Sequence, residues 1–134
     1  MPQKRWRVVG IDFDHMHMGD NLSMAKEHPQ VDIVGICDAD PARMANAIDA
    51  FSLSDDQVFT DFRECLGKTK PDFVILCPAT ARHGEYVEAI APYGPHLLVE
   101  KPFAATLAEA DRMMAAIQPN QRLAINWPLA WYPV

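Results

Sequence analysis

The chain has 134 residues, 49% hydrophobic and 22% charged, which bounds it to one ordinary domain with a sizeable core and leaves too little sequence for a barrel enzyme with its loops. Its 12 basic and 18 acidic residues give a net charge of −6, so a phosphate-backbone-binding surface has no compositional support and no nucleic-acid partner is expected. Apolar stretches run to about six residues, far below the roughly 20 of a membrane helix, and the opening MPQKRWR leads into VVGID rather than an export segment. The expectation is a cytoplasmic protein with no membrane partner.

Short apolar runs alternate with helical stretches from end to end, the pattern of a parallel sheet. The first strand is expected over Arg7 to Ile11, followed by a helix in which Met18, Leu22 and Ala25 share a face and which stops at His28-Pro29. A second strand runs from Asp32 to Cys37. Asp40-Pro41 then reads as an N-cap with proline at the first helical position, opening a helix through Met44, Ala47 and Ile48. After a short strand at Val58 and Phe59, Thr60 and Asp61 start a third helix that closes near Gly67. Phe73 to Cys77 is the fourth strand, Thr80 to Tyr93 the fourth helix and Leu97 to Glu100 the fifth strand. Thr106 to Ile117 is the fifth helix, with Thr106 and Glu109 in capping-box spacing, and Arg122 to Asn126 is the sixth strand. Right-handed crossovers fold this order into a doubly wound α/β sheet, the Rossmann fold, with six strands in the order 3-2-1-4-5-6.

In that topology Cys37 and Cys77 end strands flanking the first, about 10 Å apart at about 4.8 Å per strand, beyond disulfide reach. With Cys65 they are expected as reduced, buried thiols. Met18, Met24, Met44, Met113 and Met114 are read as core filler. Trp127, Trp131 and Tyr132 form an apolar cluster at the carboxyl end.

Ligands of open parallel sheets bind outside the carboxyl ends of the strands, where the strand order reverses. Residues with useful chemistry gather there: Gly10, Asp12, Asp14, His15 and His17 after the first strand, Asp38 and Asp40 after the second, Pro78 to His83 after the fourth, and Lys101-Pro102 after the fifth. Asp38 stands 28 residues beyond Gly10, where a carboxylate can accept from both hydroxyls of an adenosine ribose; Asp40 takes the cap and leaves Asp38 free. No arginine follows immediately to receive a 2′-phosphate, since Arg43 lies one helical turn in, which favours NAD over NADP. Lys101 at the end of a buried strand can exchange a proton with a substrate hydroxyl.

The order of glycine-containing turn, Cys37-Asp38, Pro78-x-x-x-x-His83, Glu100-Lys101-Pro102 and Asn126 resembles the amino-terminal domain of the glucose-fructose oxidoreductase / inositol dehydrogenase (Gfo/Idh/MocA) family over about Arg5 to Asn126. The resemblance implies an NAD(P)-dependent oxidoreductase of sugars, cyclitols or related polyols. It makes Lys101 the catalytic lysine and Asp38 the ribose-binding acid. It assigns Gly10, Asp12, His15, Cys77, Pro78, Thr80, His83, Glu100, Lys101 and Asn126 to the cofactor side. It also implies a second, substrate-binding domain outside this chain, and homo-oligomers formed through it.

The fingerprint G-x-G-x-x-G reads here as Gly10-x-Asp12-x-x-His15, placing a carboxylate where backbone approaches a pyrophosphate. A non-catalytic dinucleotide-binding or regulatory module is therefore the second reading. A third, a metal-dependent hydrolase fragment, rests on Asp12, Asp14, His15 and His17, since H-x-H after a first strand opens such barrels; Phe13 occupies the position of the acid they require. No metal site is assigned, and His15 and His17 are read as loop-capping residues.

Overall fold

The computed structural model describes residues 4–127. Its six parallel strands are β1 (Trp6–Ile11), β2 (Val31–Cys37), β3 (Val58–Phe59), β4 (Phe73–Leu76), β5 (His96–Glu100) and β6 (Leu123–Asn126), in the order β3-β2-β1-β4-β5-β6. The helices are α1 (His17–Glu27), α2 (Ala45–Phe51), α3 (Phe62–Thr69), α4 (His83–Ile90) and α5 (Leu107–Ala116). The expected topology is the observed one, and among the described residues the sheet is open, ending at β3 and β6, which removes the barrel hydrolase reading. Among the described residues no helix is long and apolar enough to cross a membrane.

Successive side chains of a strand face opposite ways, and the two cores follow that parity. Val8, Ile36, Ile75 and Cys77 pack with Met18 and Leu22 of α1 and with Met44 and Ala47. Val9, Ile11, Val74, Leu76, Leu97 and Val99 pack with Cys65 and Leu66 of α3, Val87 and Ile90 of α4 and Met113 of α5. All three cysteines are free and buried, as expected.

Local chemistry sets the boundaries. Asp40 accepts from the Ala42 N–H at 3.0 Å, but Pro41 to Met44 form a 3-10 turn before α2 begins. Asp61 caps α3 through the N–H groups of Arg63 and Glu64. That helix runs past Gly67 to Thr69 and ends on Lys70 at φ 44°, because glycine is tolerated within a helix when no better terminator precedes the break. The fourth helix is α-helical only from His83 to Ile90, with 3-10 turns at both ends, the second containing Pro92. Met24 and Met114 are 61% and 59% exposed and so are not core filler, since each lies on the outer face of its helix. β6 is also only partly covered, as an edge strand packed on one neighbour. Trp127 is half exposed, and Trp131 and Tyr132 lie outside the described residues.

The expected capping box forms by half. Thr106 accepts from the Glu109 N–H at 3.1 Å, but the Glu109 carboxylate accepts instead from Gly84 N–H at 2.9 Å and Ala105 N–H at 2.7 Å, tying the start of α4 to the loop after β5. A Cβ at position 84 would stand 2.7 Å from Glu109 Cγ. Gly84→Ala should therefore cost roughly 1–3 kcal/mol in urea unfolding, as overpacking does. Gly84→Ala with Glu109→Ala should cost less than the two single changes summed, because the second removes what the first strikes.

Candidate functional site

At the crest of the sheet, the turn after β1 satisfies its own backbone. Asp12 N–H donates to the Cys37 carbonyl at 2.8 Å, Phe13 N–H to Asp38 Oδ2 at 2.7 Å, Asp14 N–H to Asp12 Oδ1 at 3.0 Å and His15 N–H to the Cys77 carbonyl at 3.0 Å. Asp12 sits at φ 67°, the left-handed conformation for which the second fingerprint glycine is otherwise used, and aspartate tolerates it better than most residues. Gly10 serves a different need. It lies within β1, where a Cβ would approach Met18 Sδ to 2.8 Å, so its absence of side chain lets α1 pack directly on the strand.

The Asp12 carboxylate is not turned toward the start of α1. It is 4% exposed and accepts from the Tyr86 hydroxyl at 2.8 Å and from Arg82 at 3.3 Å. Burial pushes this carboxyl up, and the charges of Asp14 and Asp38 add to the effect; the Tyr86 and Asp14 donors oppose it. Tyr86 was not among the expected residues. The signal was present, since Arg82 and Tyr86 are four apart on one helical face and a buried aspartate in place of a glycine must find donors.

Asp14 bridges the crevice. It pairs with Arg43 from beyond β2 and accepts from Ala79 N–H, beyond β4, at 3.1 Å. Burial would raise its carboxyl, but Ala79 and Arg43 hold it below the usual range. Asp38 is not a free carboxylate: it is 6% exposed and accepts from Phe13 N–H and, at 2.8 Å, from Asp40 N–H. Each oxygen retains a lone pair. Asp38, Ala39, Thr60, Arg82 and Tyr86 line a cleft of about 240 Å³ at the carboxyl ends of β1 and β2.

On the other side of β1, Glu100 is 1% exposed. Its Oε2 accepts from Asn126 Nδ2 at 2.9 Å, and its Oε1 lies 3.1 Å from His17 Nδ1. Burial would raise the Glu100 carboxyl, yet Asn126, His17 and the Lys101 N–H together hold it below its ordinary value. The ring of His15 lies 4.3 Å from that of His17, and through the His17–Glu100 contact the segment after β1 meets the end of β5, a juxtaposition the order of residues along the chain did not reveal. Lys101 is partly exposed at the same end of the sheet, and among the described residues its ammonium has no hydrogen-bond or ion-pair partner. Thr80 opens the turn before α4.

Two expected cofactor-side residues prove to be buried supports. His83 is 1% exposed, and its ring nitrogens face the Phe103 carbonyl at 2.9 Å and the Pro78 carbonyl at 3.1 Å, so it pins the loops after β4 and β5 together instead of facing a ligand. Cys77 is fully buried against Asn21, its thiol pushed up to about 12 chiefly by burial.

Residues 4–126 match the Gfo/Idh/MocA oxidoreductase family, NAD-binding Rossmann fold. The chain is 31% identical to D-apiose dehydrogenase of Paraburkholderia graminis over 94% of its length and 32% of the relative's. It is 24% identical to inositol 2-dehydrogenase of Salmonella typhimurium over 89% of its length and 34% of the relative's. It thus spans about a third of the length of the curated relatives it matches. An oxidoreductase from Agrobacterium radiobacter, solved with NAD+, L-tartaric acid and magnesium, superposes with a TM-score of 0.82 at 22% identity over 92% of this chain and 35% of that one, a likeness of fold.

Two outcomes follow. Tyr86→Phe should cost about 1–3 kcal/mol at pH 7 by leaving a buried carboxylate short of a donor. Because the raised Asp12 carboxyl favours the folded state below the unfolded carboxylate range and penalises it as pH climbs through its own folded value, the cost should shrink toward pH 4; unfolding curves at both pH values check the sign. The thiols Cys37, Cys65 and Cys77 should resist an aromatic disulfide reagent in the native state, all being buried and raised, and react together on unfolding.

Proposed function

The chain belongs to the Gfo/Idh/MocA oxidoreductase family, and on that premise we propose that it is the part of a dehydrogenase that seats NAD(H) for oxidation of a secondary hydroxyl on a sugar, cyclitol or related polyol. One observation carries the reading: Asp38 and Lys101 stand at the carboxyl ends of β2 and β5, on opposite sides of the point where the strand order reverses between β1 and β4. A dinucleotide laid across that point has its ribose acceptor at one end and a proton-transfer group at the other.

The residues fit the adenosine half well. Asp38 is held by two backbone N–H groups with lone pairs to spare, beside the cleft floored by Ala39 and Thr60. At the diphosphate seat, α1 begins on Met16 without a side-chain cap from that residue, and the positive end of its dipole favours an anion there, although the His17 N–H already donates to His15 Nδ1 at 3.3 Å. The Asp12 carboxylate, engaged by Tyr86 and Arg82, does not oppose that charge directly. The cofactor supplies a hydride acceptor when bound. Lys101 takes the hydroxyl proton, and Glu100, fixed by Asn126, holds the end of β5 in place behind it. Substrate selection falls to a second domain, through which homo-oligomers form, and the site of action is the cytoplasm.

NAD is the preferred form. A 2′-phosphate about 5 Å from Asp38 meets a repulsion of roughly 3 kcal/mol at an effective dielectric of 20. Arg43, the first arginine after Asp38 in sequence, is already engaged by Asp14, and Arg82 in the cleft by Asp12. Titration followed by nicotinamide fluorescence should give NADPH an affinity at least tenfold below NADH, and Asp38→Ala should erase the difference; equal affinities in the unaltered chain would remove Asp38 from the role. In the longest natural reading frame containing this sequence, Lys101→Ala should lower kcat by about a hundredfold or more with polyol substrates. An unchanged kcat, with NADH still bound, would favour the non-catalytic dinucleotide module instead.

A further inference from the structure

We propose that His15, His17 and Glu100 form a binding site for a divalent first-row transition ion of the zinc class, with an open fourth position. One candidate ligand atom from each of these residues lies within 4.8 Å of the others, and the residues come from two separate segments, the turn after β1 running into the start of α1 and the end of β5. The inference does not rest on the dinucleotide reading, since it uses only the positions of these side chains.

The geometry suits an ion better than it suits the groups alone. His17 Nδ1 and Glu100 Oε1 are 3.1 Å apart, and beyond this contact neither buried atom has a hydrogen-bond partner among the described residues. Two ligands each about 2.1 Å from a shared ion stand about 3.0 to 3.4 Å apart, which the His17–Glu100 pair meets at 3.1 Å; the His15 ring has to turn inward to bring the whole cluster, now within 4.8 Å, to that spacing. A carboxylate that is 1% exposed and bonded through only one oxygen side chain to side chain is costly to bury. An ion on Oε1 supplies the missing positive charge. The support a ligating carboxylate needs is already in place, because Asn126 Nδ2 holds Oε2 at 2.9 Å and fixes the rotamer.

Two imidazoles and one carboxylate select zinc, cobalt or nickel over magnesium or calcium, which prefer an all-oxygen shell. His15 joins at small cost, since its Nδ1 accepts only a long 3.3 Å bond from His17 N–H. Three protein ligands leave one position of a tetrahedral ion facing the crevice, available to water or to an oxygen of a bound molecule.

The test uses the untagged full chain. Zn2+ affinity and stoichiometry are measured by competition with a chromogenic chelator, and Co2+ provides a visible ligand-field spectrum. One ion per chain is expected, with affinity falling about a hundredfold or more in His17→Ala and in Glu100→Gln. Asn126→Ala should lose about tenfold, as loss of a positioning contact does. His28→Ala and His96→Ala, at the other end of the sheet, should bind as the unaltered chain does. Should Glu100→Gln fail to fold by circular dichroism, His15→Ala and His17→Ala, both partly exposed at the turn and first residue of α1, decide the matter. Absence of Zn2+ binding by the unaltered chain, or affinity and Co2+ spectrum undiminished in the histidine variants, would overturn the proposal.

Discussion

The buried carboxylate of Asp12 is the constraint on which the crest of this fold depends. Placing it at φ 67° closes the turn after β1, and burying it obliges the chain to bring donors from afar. Tyr86 and Arg82 answer from the start of α4, which sets where the loop after β4 must run. His83, next in sequence, then reaches the carbonyls of Pro78 and Phe103 and fixes the loop after β5 as well. A glycine at position 12 would leave Tyr86 and Arg82 without this buried acceptor.

The same logic governs the charge of the crevice. Asp12, Asp14, Asp38 and Glu100 all lie at the carboxyl ends of the strands, where like charges in a low-dielectric setting would repel strongly. Each is relieved separately: Asp12 by Tyr86 and Arg82, Asp14 by Arg43 and Ala79 N–H, Asp38 by two backbone N–H groups, Glu100 by Asn126. Of these four Glu100 keeps an oxygen with no hydrogen-bond donor, and at the end of β5 beside it the Lys101 ammonium has no hydrogen-bond or ion-pair partner among the described residues. These two neighbours are where the crevice retains chemical capacity.

An inward-facing turn has a consequence for binding. The amides of residues 12 to 15 are spent on Cys37, Asp38, Asp12 and Cys77, so a diphosphate meets the start of α1 rather than a cradle of free turn N–H groups. Helix dipole and histidine side chains must supply what glycine-rich loops draw from backbone. On the proposed dinucleotide reading, binding here draws more on side chains than on main chain.

Strand order, helix spacing and the isolation of the three thiols were all legible in the sequence, because period, caps and crossover handedness are local rules that a doubly wound sheet applies in chain order. Asp40 and Asp61 announced their helices, and Glu100-Lys101-Pro102 announced the end of β5. What the line of residues did not show was which side chains would meet across the crest. Asp38 read as free because its partners, Phe13 N–H and Asp40 N–H, are backbone groups with no signature of their own. His83 read as a ligand contact because nothing in a motif tells whether an imidazole faces a crevice or two carbonyls. His17 and Glu100 are 83 residues apart and adjacent only because β1 and β5 each neighbour β4; parallel strands bring their ends to one rim, and the side chains that share that rim are chosen by twist and loop length, which exist only in three dimensions.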